Sequence, residues 1–378
     1  MGCNKMKRMG REKSIGNTQK FGKRIKIKFL GMAAVLLALP VYGISNELFK
    51  LAVCRDNSVS LFQKKGVRKL AERLNEMIAG RGRKKWGDGK EPADGKRTAD
   101  EKVPAGLGFA DFTGEMEEGK IWFQSQKKER IAMTSHDGLK LVAYYLPAPK
   151  ESRSVLILMH GYRNEGIVWD FSGLVKFYHE QGYHLLVPHQ RAHGESEGEH
   201  ICFGVKERYD LAQWAEYISR RFERRCSIFL SGISMGGATV LMAAGLKLPG
   251  QVKGIIADCG YTSPWDIFAY VLGKDCHLPK FPFLYAADYI CHRKAGFHFQ
   301  ECSAVESLRR NRIPVLFIHG GRDAFVPARM SWKNYEACAA EKEIFIVDRA
   351  AHGTSHLVEP EEYRRRVVKF MEKWSDGN

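Results

Sequence analysis

Residues 231–237, Ser-Gly-Ile-Ser-Met-Gly-Gly, lie between two segments of opposite character. The run before them, 226–230 (Cys-Ser-Ile-Phe-Leu), has the β-branched and aromatic bias of a strand. The run after them, 238–244 (Ala-Thr-Val-Leu-Met-Ala-Ala), reads as helix. A strand that passes through Gly-x-Ser-x-Gly into a helix must reverse within a few residues. That turn holds Ser234 at its apex in a backbone conformation that side chains avoid. Gly232 and Gly236 are required there because a β-carbon at either position would collide across the turn. In a chain with 37 glycines the five-residue pattern arises easily by chance, so its placement between strand and helix is what gives it meaning.

A serine hydroxyl is a poor nucleophile until a base removes its proton, and the base needs a carboxylate to fix its tautomer. Two later strand-like runs end in residues of those types. Residues 313–319 (Ile-Pro-Val-Leu-Phe-Ile-His) lead into Gly320-Gly321-Arg322-Asp323, and 343–347 (Glu-Ile-Phe-Ile-Val) lead into a loop that carries His352. Ser234, Asp323 and His352 thus each follow a strand-like run, in that order along the chain. A lone aspartate in a Gly-rich loop is usually a turn former, and a lone histidine after a strand is usually a satisfied surface or core residue. Joint placement after successive strands lifts both. Asp258, at the end of the strand 252–257, is the rival acid, and His356 is a weaker rival for the base.

Acyl transfer also needs N–H donors aimed at the developing oxyanion. The backbone N–H of Met235, at the start of the helix after Ser234, is one expected donor. The apolar run 155–159 (Val-Leu-Ile-Leu-Met) reads as a strand buried on both faces. Gly161 lets the chain turn after it, and the N–H of Tyr162 is the second expected donor. His160 is expected to support this loop and not to act as a base.

These motifs, with Gln190-Arg191-Ala192-His193-Gly194-Glu195-Ser196, resemble the α/β-hydrolase superfamily, of the bacterial serine esterase and serine aminopeptidase-like kind. The resemblance runs from about Phe109 to Trp374. It implies a mostly parallel eight-stranded sheet flanked by helices, with Ser234, Asp323 and His352 as catalytic residues and no metal or organic cofactor. Family members often carry an aspartate where this chain has His189, a departure at a turn outside the catalytic residues. A superfamily resemblance implies no substrate.

The chain's net charge of +17 is unevenly spread: 25 of its 60 basic residues and only 10 of its 43 acidic ones fall in residues 1–105. The remainder is nearly neutral and gives no electrostatic reason to seek a polyanionic substrate. Four regions are expected. A basic N-terminus, 1–28, carries ten Lys and Arg. An uncharged apolar stretch follows at 29–44, short of the ~20 residues that cross a bilayer comfortably. A basic amphipathic helix and flexible linker occupy 45–105, and the hydrolase domain 106–378. The basic flank predicts a membrane anchor with the N-terminus in the cytoplasm and the domain outside, or else a secretory signal that is removed. The basic residues flank an apolar segment and lack interleaved aromatics, so phospholipid fits them better than nucleic acid.

Nine cysteines form no CxxC pair. They sit uneasily with an exported enzyme, although Cys276 and Cys291 could pair. The stretch 261–312 is longer than one crossover needs and is rich in aromatics, which predicts a helical lid over the site with an apolar pocket beneath it. Carboxylic ester hydrolysis is the leading expectation. A peptidase or amidase using the same groups is the alternative, and a non-catalytic, membrane-anchored binding protein is a third reading.

Overall fold

A computed structural model describes residues 39–55, 106–164 and 168–375. The first described element, α1, is helical over 39–53. After a single turn at Phe109–Asp111 come α2 (Thr113–Ser125) and a hairpin, β1 (Glu129–Thr134) and β2 (Lys140–Leu146). Alternation then begins: β3 (Ser154–Met159), α3 (Ser172–Glu180), β4 (His184–His189), α4 (Glu207–Arg221), β5 (Ser227–Ile233), α5 (Met235–Ala243) and β6 (Val252–Asp258). Three helices interrupt it, α6 (Pro264–Lys274), α7 (Lys280–Ala295) and α8 (Ala304–Leu308). The chain closes with β7 (Val315–Gly320), α9 (Arg329–Ala337), β8 (Lys342–Val347), α10 (Ser355–Val358) and α11 (Pro360–Trp374).

The eight strands form one sheet in the order β1-β2-β4-β3-β5-β6-β7-β8. β1 and β2 pair antiparallel, as do β2 and β4, and the rest pair parallel. Each parallel crossover needs a helix, and helices fall on both faces. Leu211, Trp214 and Ile218 of α4 pack on one side with α5, while Phe171, Leu174 and Tyr178 pack on the other. On that second side α11 presents Tyr363, Val367, Phe370 and Met371, spaced so that one helix face carries all four. β3, β5 and β7 are buried almost throughout because both their faces are covered, which is why they read as continuous apolar runs. The sheet order puts the carboxyl ends of β3 and β5 side by side, where an open parallel sheet reverses its winding and ligands bind.

Helix α1 alters the expected division of the chain. Residues 39–44 belong to the apolar stretch and 45–53 to the start of the region expected to hold an amphipathic helix and linker, yet they form one helix with Ile44, Leu48, Phe49, Leu51, Ala52 and Val53 buried. Leu48, Phe49 and Ala52 lie against Phe268 and Leu272 of α6, Leu284 and Ala287 of α7, and Phe299. Residues 45–55 are therefore part of the folded domain. No helix among the described residues is long and apolar enough to cross a membrane. The basic leader, residues 29–38, the amphipathic segment 67–78 and the linker 79–105 lie outside the described residues.

The insertion at 261–312 is helical, as its composition predicts, but its aromatics face α1 and the loop after β4. Phe268 meets Phe203 with ring centroids 4.7 Å apart and Phe299 at 4.5 Å. Phe281, Tyr285 and Tyr289 point outward and are exposed. Cys276 and Cys291 are both buried and free, so the suggested disulfide is not formed.

Candidate active site

Ser234 sits between β5 and α5 with φ 58° and ψ −116°. A β-carbon on Gly232 would stand 2.2 Å from the Gly236 carbonyl oxygen, and one on Gly236 would stand 1.8 Å from that of Met159. Those approaches explain both glycines. The Ser234 N–H donates to the Asp258 carbonyl at 2.9 Å, which ties the elbow to β6. Met235 is the first residue of α5, where a backbone N–H has no acceptor within the helix.

The loops after β7 and β8 bring the other two groups to this turn. Ser234 Oγ lies 2.8 Å from His352 Nε2, and His352 Nδ1 lies 2.7 Å from Asp323 Oδ2. With Nδ1–H donated to the carboxylate, the Nε2 lone pair faces the serine hydroxyl. Asp323 Oδ1 accepts the N–H groups of Phe325 and Val326, each at 2.8 Å. Burial pushes the Asp323 carboxyl up, but His352 and His319 outweigh it and hold it well below the usual range. For His352 the balance runs the other way: burial disfavours its charged form, and Asp323 more than offsets this, so it stays above the ordinary imidazole value.

The rivals lie elsewhere. The Asp258 carboxylate sits 3.4 Å from the Ser355 hydroxyl, and burial pushes it up to about 6. His356 packs on Tyr363, with burial and Arg364 lowering it to about 3. Neither side chain hydrogen-bonds to the side chain of Ser234, Asp323 or His352.

The loop after β3 is fixed from several sides. His160 Nδ1 donates to the Gly161 carbonyl at 2.8 Å, and its Nε2 accepts the Gln190 N–H at 3.1 Å. Gln190 returns a side-chain N–H to the His160 carbonyl at 2.5 Å. This is the supporting role expected of His160. The Gly161 N–H donates to Asp170 Oδ2 at 2.5 Å. A cleft of ≈400 Å³ opens over Ser234, walled by Phe109, Tyr162, Arg163, Asp170, Phe325 and His352. No residue of the insertion lines it. The apolar pocket beneath a lid is thus corrected: loops after β3, β7 and β8, with Phe109 from the segment before β1, make the walls, with polar and apolar groups together.

Arg191 of the Gln-Arg motif is buried and clamped. It donates to Asp210 at 2.7 and 2.6 Å and to Asp137 at 2.8 Å. His189, where an aspartate is common in the family resembled, accepts the Glu195 N–H at 2.7 Å and so shapes the turn. Among the described residues, two groups bring metal-ligand atoms within 4.8 Å of one another. In one, Asp323 and His352 are engaged with each other; in the other, Asp137 and Asp210 hold Arg191. Neither offers a vacant set of donors.

Two residues with a place in the site escaped the sequence reading. His319 Nε2 donates to the Val326 carbonyl at 2.8 Å and lies 3.2 Å from Asp323 Oδ2, while its Nδ1 accepts the Ser331 hydroxyl at 2.6 Å. It braces the acid from behind. Its one sequence signal is a polar residue inside the apolar run of β7. Asp170 had no signal, since it precedes a helix where an acid is ordinary.

Residues 150–271 match the sequence family Hydrolase_4, described as serine aminopeptidase, S33. Uncharacterized protein YqkD of Bacillus subtilis is 26% identical over 258 residues, covering 68% of this chain and 83% of that one. Uncharacterized membrane protein YNL320W of Saccharomyces cerevisiae is 26% identical over 228 residues, covering 59% and 73%. Among solved structures, the Pyrococcus furiosus esterase Pf2001 superposes with a TM-score of 0.55 at 22% identity, over 67% of this chain and 93% of its own. The Pyrococcus horikoshii acylaminoacyl peptidase does so with a TM-score of 0.50 at 17% identity, over 69% of this chain and 44% of its own. At these identities the structural likeness establishes architecture and leaves substrate open. With its sheet order and flanking helices, this chain has the α/β-hydrolase fold.

Proposed function

We propose that the protein is a serine hydrolase that cleaves carboxylic esters through an acyl-enzyme. Ser234 Oγ attacks the carbonyl carbon while its proton passes to His352 Nε2. Asp323 stabilises the imidazolium, which then returns the proton to the departing alkoxide. Water, deprotonated by the same histidine, releases the acid and restores the serine hydroxyl. The Met235 N–H is one donor to the oxyanion. The Gly161 N–H is committed to Asp170, so the second donor falls one residue on, at Tyr162. The observation that carries this reading is the continuous contact from Asp323 through His352 to Ser234, at 2.7 and 2.8 Å, opening onto a cleft.

A peptidase or amidase would use the same groups on a poorer leaving group, and the match of residues 150–271 to serine aminopeptidases favours testing it. The basic and apolar residues 1–38 further support a membrane tether with the hydrolase domain outside the cell; protease accessibility of the domain on intact cells tests that orientation. For the chemistry, the full chain and Ser234→Ala are assayed with p-nitrophenyl esters of several lengths and with aminoacyl-anilides, beside labelling by a fluorophosphonate. Ester turnover and labelling that both vanish in Ser234→Ala support the proposal. Folded wild-type protein that does neither would favour a binding role.

A further inference from the structure

The loop expected to supply the second oxyanion donor is fastened to α1, a helix some 110 residues earlier in the chain. The last turn of an α-helix leaves carbonyl oxygens without intrahelical partners, and these attract donors and positive charge. At the end of α1 the partners come from the loop after β3. The Tyr162 hydroxyl donates to the Ala52 carbonyl at 2.7 Å, with the Leu51 carbonyl at 3.3 Å. The Arg163 guanidinium donates to the Cys54 carbonyl and, through Nε, to the Tyr162 hydroxyl at 2.8 Å.

The loop after β4 grips the same helix end. The Ile201 N–H donates to the Val53 carbonyl at 2.8 Å, and the Arg55 side chain donates to the Ser196 and Gly194 carbonyls, each at 2.6 Å. His193, next to Gly194 in the same loop, accepts the Arg163 N–H through Nε2 at 3.1 Å. Arg163 has φ 49°, a conformation seldom adopted without fixation from outside. The Tyr162 ring stacks on Phe203, Phe203 meets Phe268 edge-on, and Phe268 lines one apolar crevice with Phe49 and Ala52. The ring and the hydroxyl of Tyr162 therefore both end on α1 or on what covers it.

We propose that α1 is a strap that positions the oxyanion loop: its terminal carbonyls hold the Tyr162 side chain, and so set where the Tyr162 N–H stands relative to Ser234. Tyr162 then has two separate roles, a backbone donor and a side-chain tether. This rests on the serine hydrolase reading. Undocking the strap leaves Ser234, His352 and Asp323 in place and loosens one donor, so the loss falls on turnover and not on binding.

The test uses the full chain with Tyr162→Phe, which deletes the tether and keeps the ring and the backbone N–H, and with Phe49→Ala, which loosens the strap without touching the cleft. Each is expected to lower kcat for a p-nitrophenyl ester about tenfold, short of the ~100-fold or more that follows outright loss of an oxyanion donor. KM and the pH midpoint set by His352 should stay at wild-type values, and fluorophosphonate should still label Ser234. The double variant should be no worse than the weaker single variant, because both cut the same connection. Wild-type kcat in Tyr162→Phe, or a double variant whose loss is the product of the two single losses, overturns the strap. Wild-type protein that neither labels nor turns over removes the parent reading as well, and that result is distinct from the other two.

Discussion

Replacing the Asp323 carboxylate by an amide of the same shape probes how His352 is tuned. His352 acts as a base only when neutral, and its value is raised by Asp323, so kcat/KM should climb with pH through a midpoint above the ordinary imidazole value of about 6.5. Asp323→Asn removes the strongest influence that raises it, so that burial, which lowers it, weighs more. The midpoint should move to lower pH while the plateau falls by about 10⁴, since the wrong tautomer is then favoured. A pH–rate profile whose midpoint stays put would break the link between the two residues. Ser234→Ala should lose several orders of magnitude, roughly 10⁴ or more, with the fold intact by circular dichroism. Legibility at this scale follows from position. Ser234, Asp323 and His352 each follow a strand, and each residue type is one that acyl transfer requires. His319 lies inside a strand, where a buried histidine with a satisfied ring looks the same whether it braces an acid or fills space. Its bracing role appears only once Val326 and Ser331 fold back over it. Changing His319 to Phe should cost ~1–3 kcal/mol through the unpaired Val326 carbonyl and Ser331 hydroxyl, read as a lower denaturant midpoint.

Two contacts between elements fix the turns and loops at the sheet edge that carries Ser234. The first is the close passage of α5 over the end of β3, where Gly236 faces the Met159 carbonyl. Backbone occupies that space, so no rotamer change relieves an added methyl. Gly236→Ala should destabilise by more than the ~1–3 kcal/mol usual for overpacking with side chains alone, as measured by chemical denaturation. The second is Arg191, which ties the loop after β4 to Asp210 of α4 and to Asp137 in the β1–β2 turn. Both glycines of the elbow were readable from spacing, because a tight turn dictates them wherever it occurs. The insertion was readable as helices from its length and composition. Which surface its aromatics would cover was not, because helical periodicity names a buried face without naming the neighbour. The neighbour is α1, and α1 was hidden by its own composition: an uncharged run ending in the middle of a helix looks like a membrane segment followed by a linker.

Seen over the whole chain, the positive charge and the chemistry occupy different parts, and α1 is where they meet. The basic and apolar residues 1–38 lie upstream of a helix whose far end holds the loop beside Ser234. A boundary drawn from composition falls near residue 106, where the linker gives way to the hydrolase motifs. The boundary drawn by packing falls at or before residue 39. A chain starting at 39 keeps the buried side chains of Leu48, Phe49, Leu51 and Val53, each no more than 4% exposed. A chain starting at 106 loses them and uncovers Phe268, Leu272, Leu284 and Phe299. At ~1.5–3 kcal/mol for each large apolar side chain buried, the shorter chain should forfeit on the order of 5 kcal/mol or more. That is a large share of the ~5–15 kcal/mol by which domains are ordinarily stable. The chain from 39 should therefore melt cooperatively and turn over esters. The chain from 106 should melt far lower, bind a hydrophobic dye, and return toward the longer chain's turnover when a synthetic peptide of residues 39–55 is added. Equal melting temperatures for the two chains would place α1 outside the domain's core and leave the loop after β3 to hold itself.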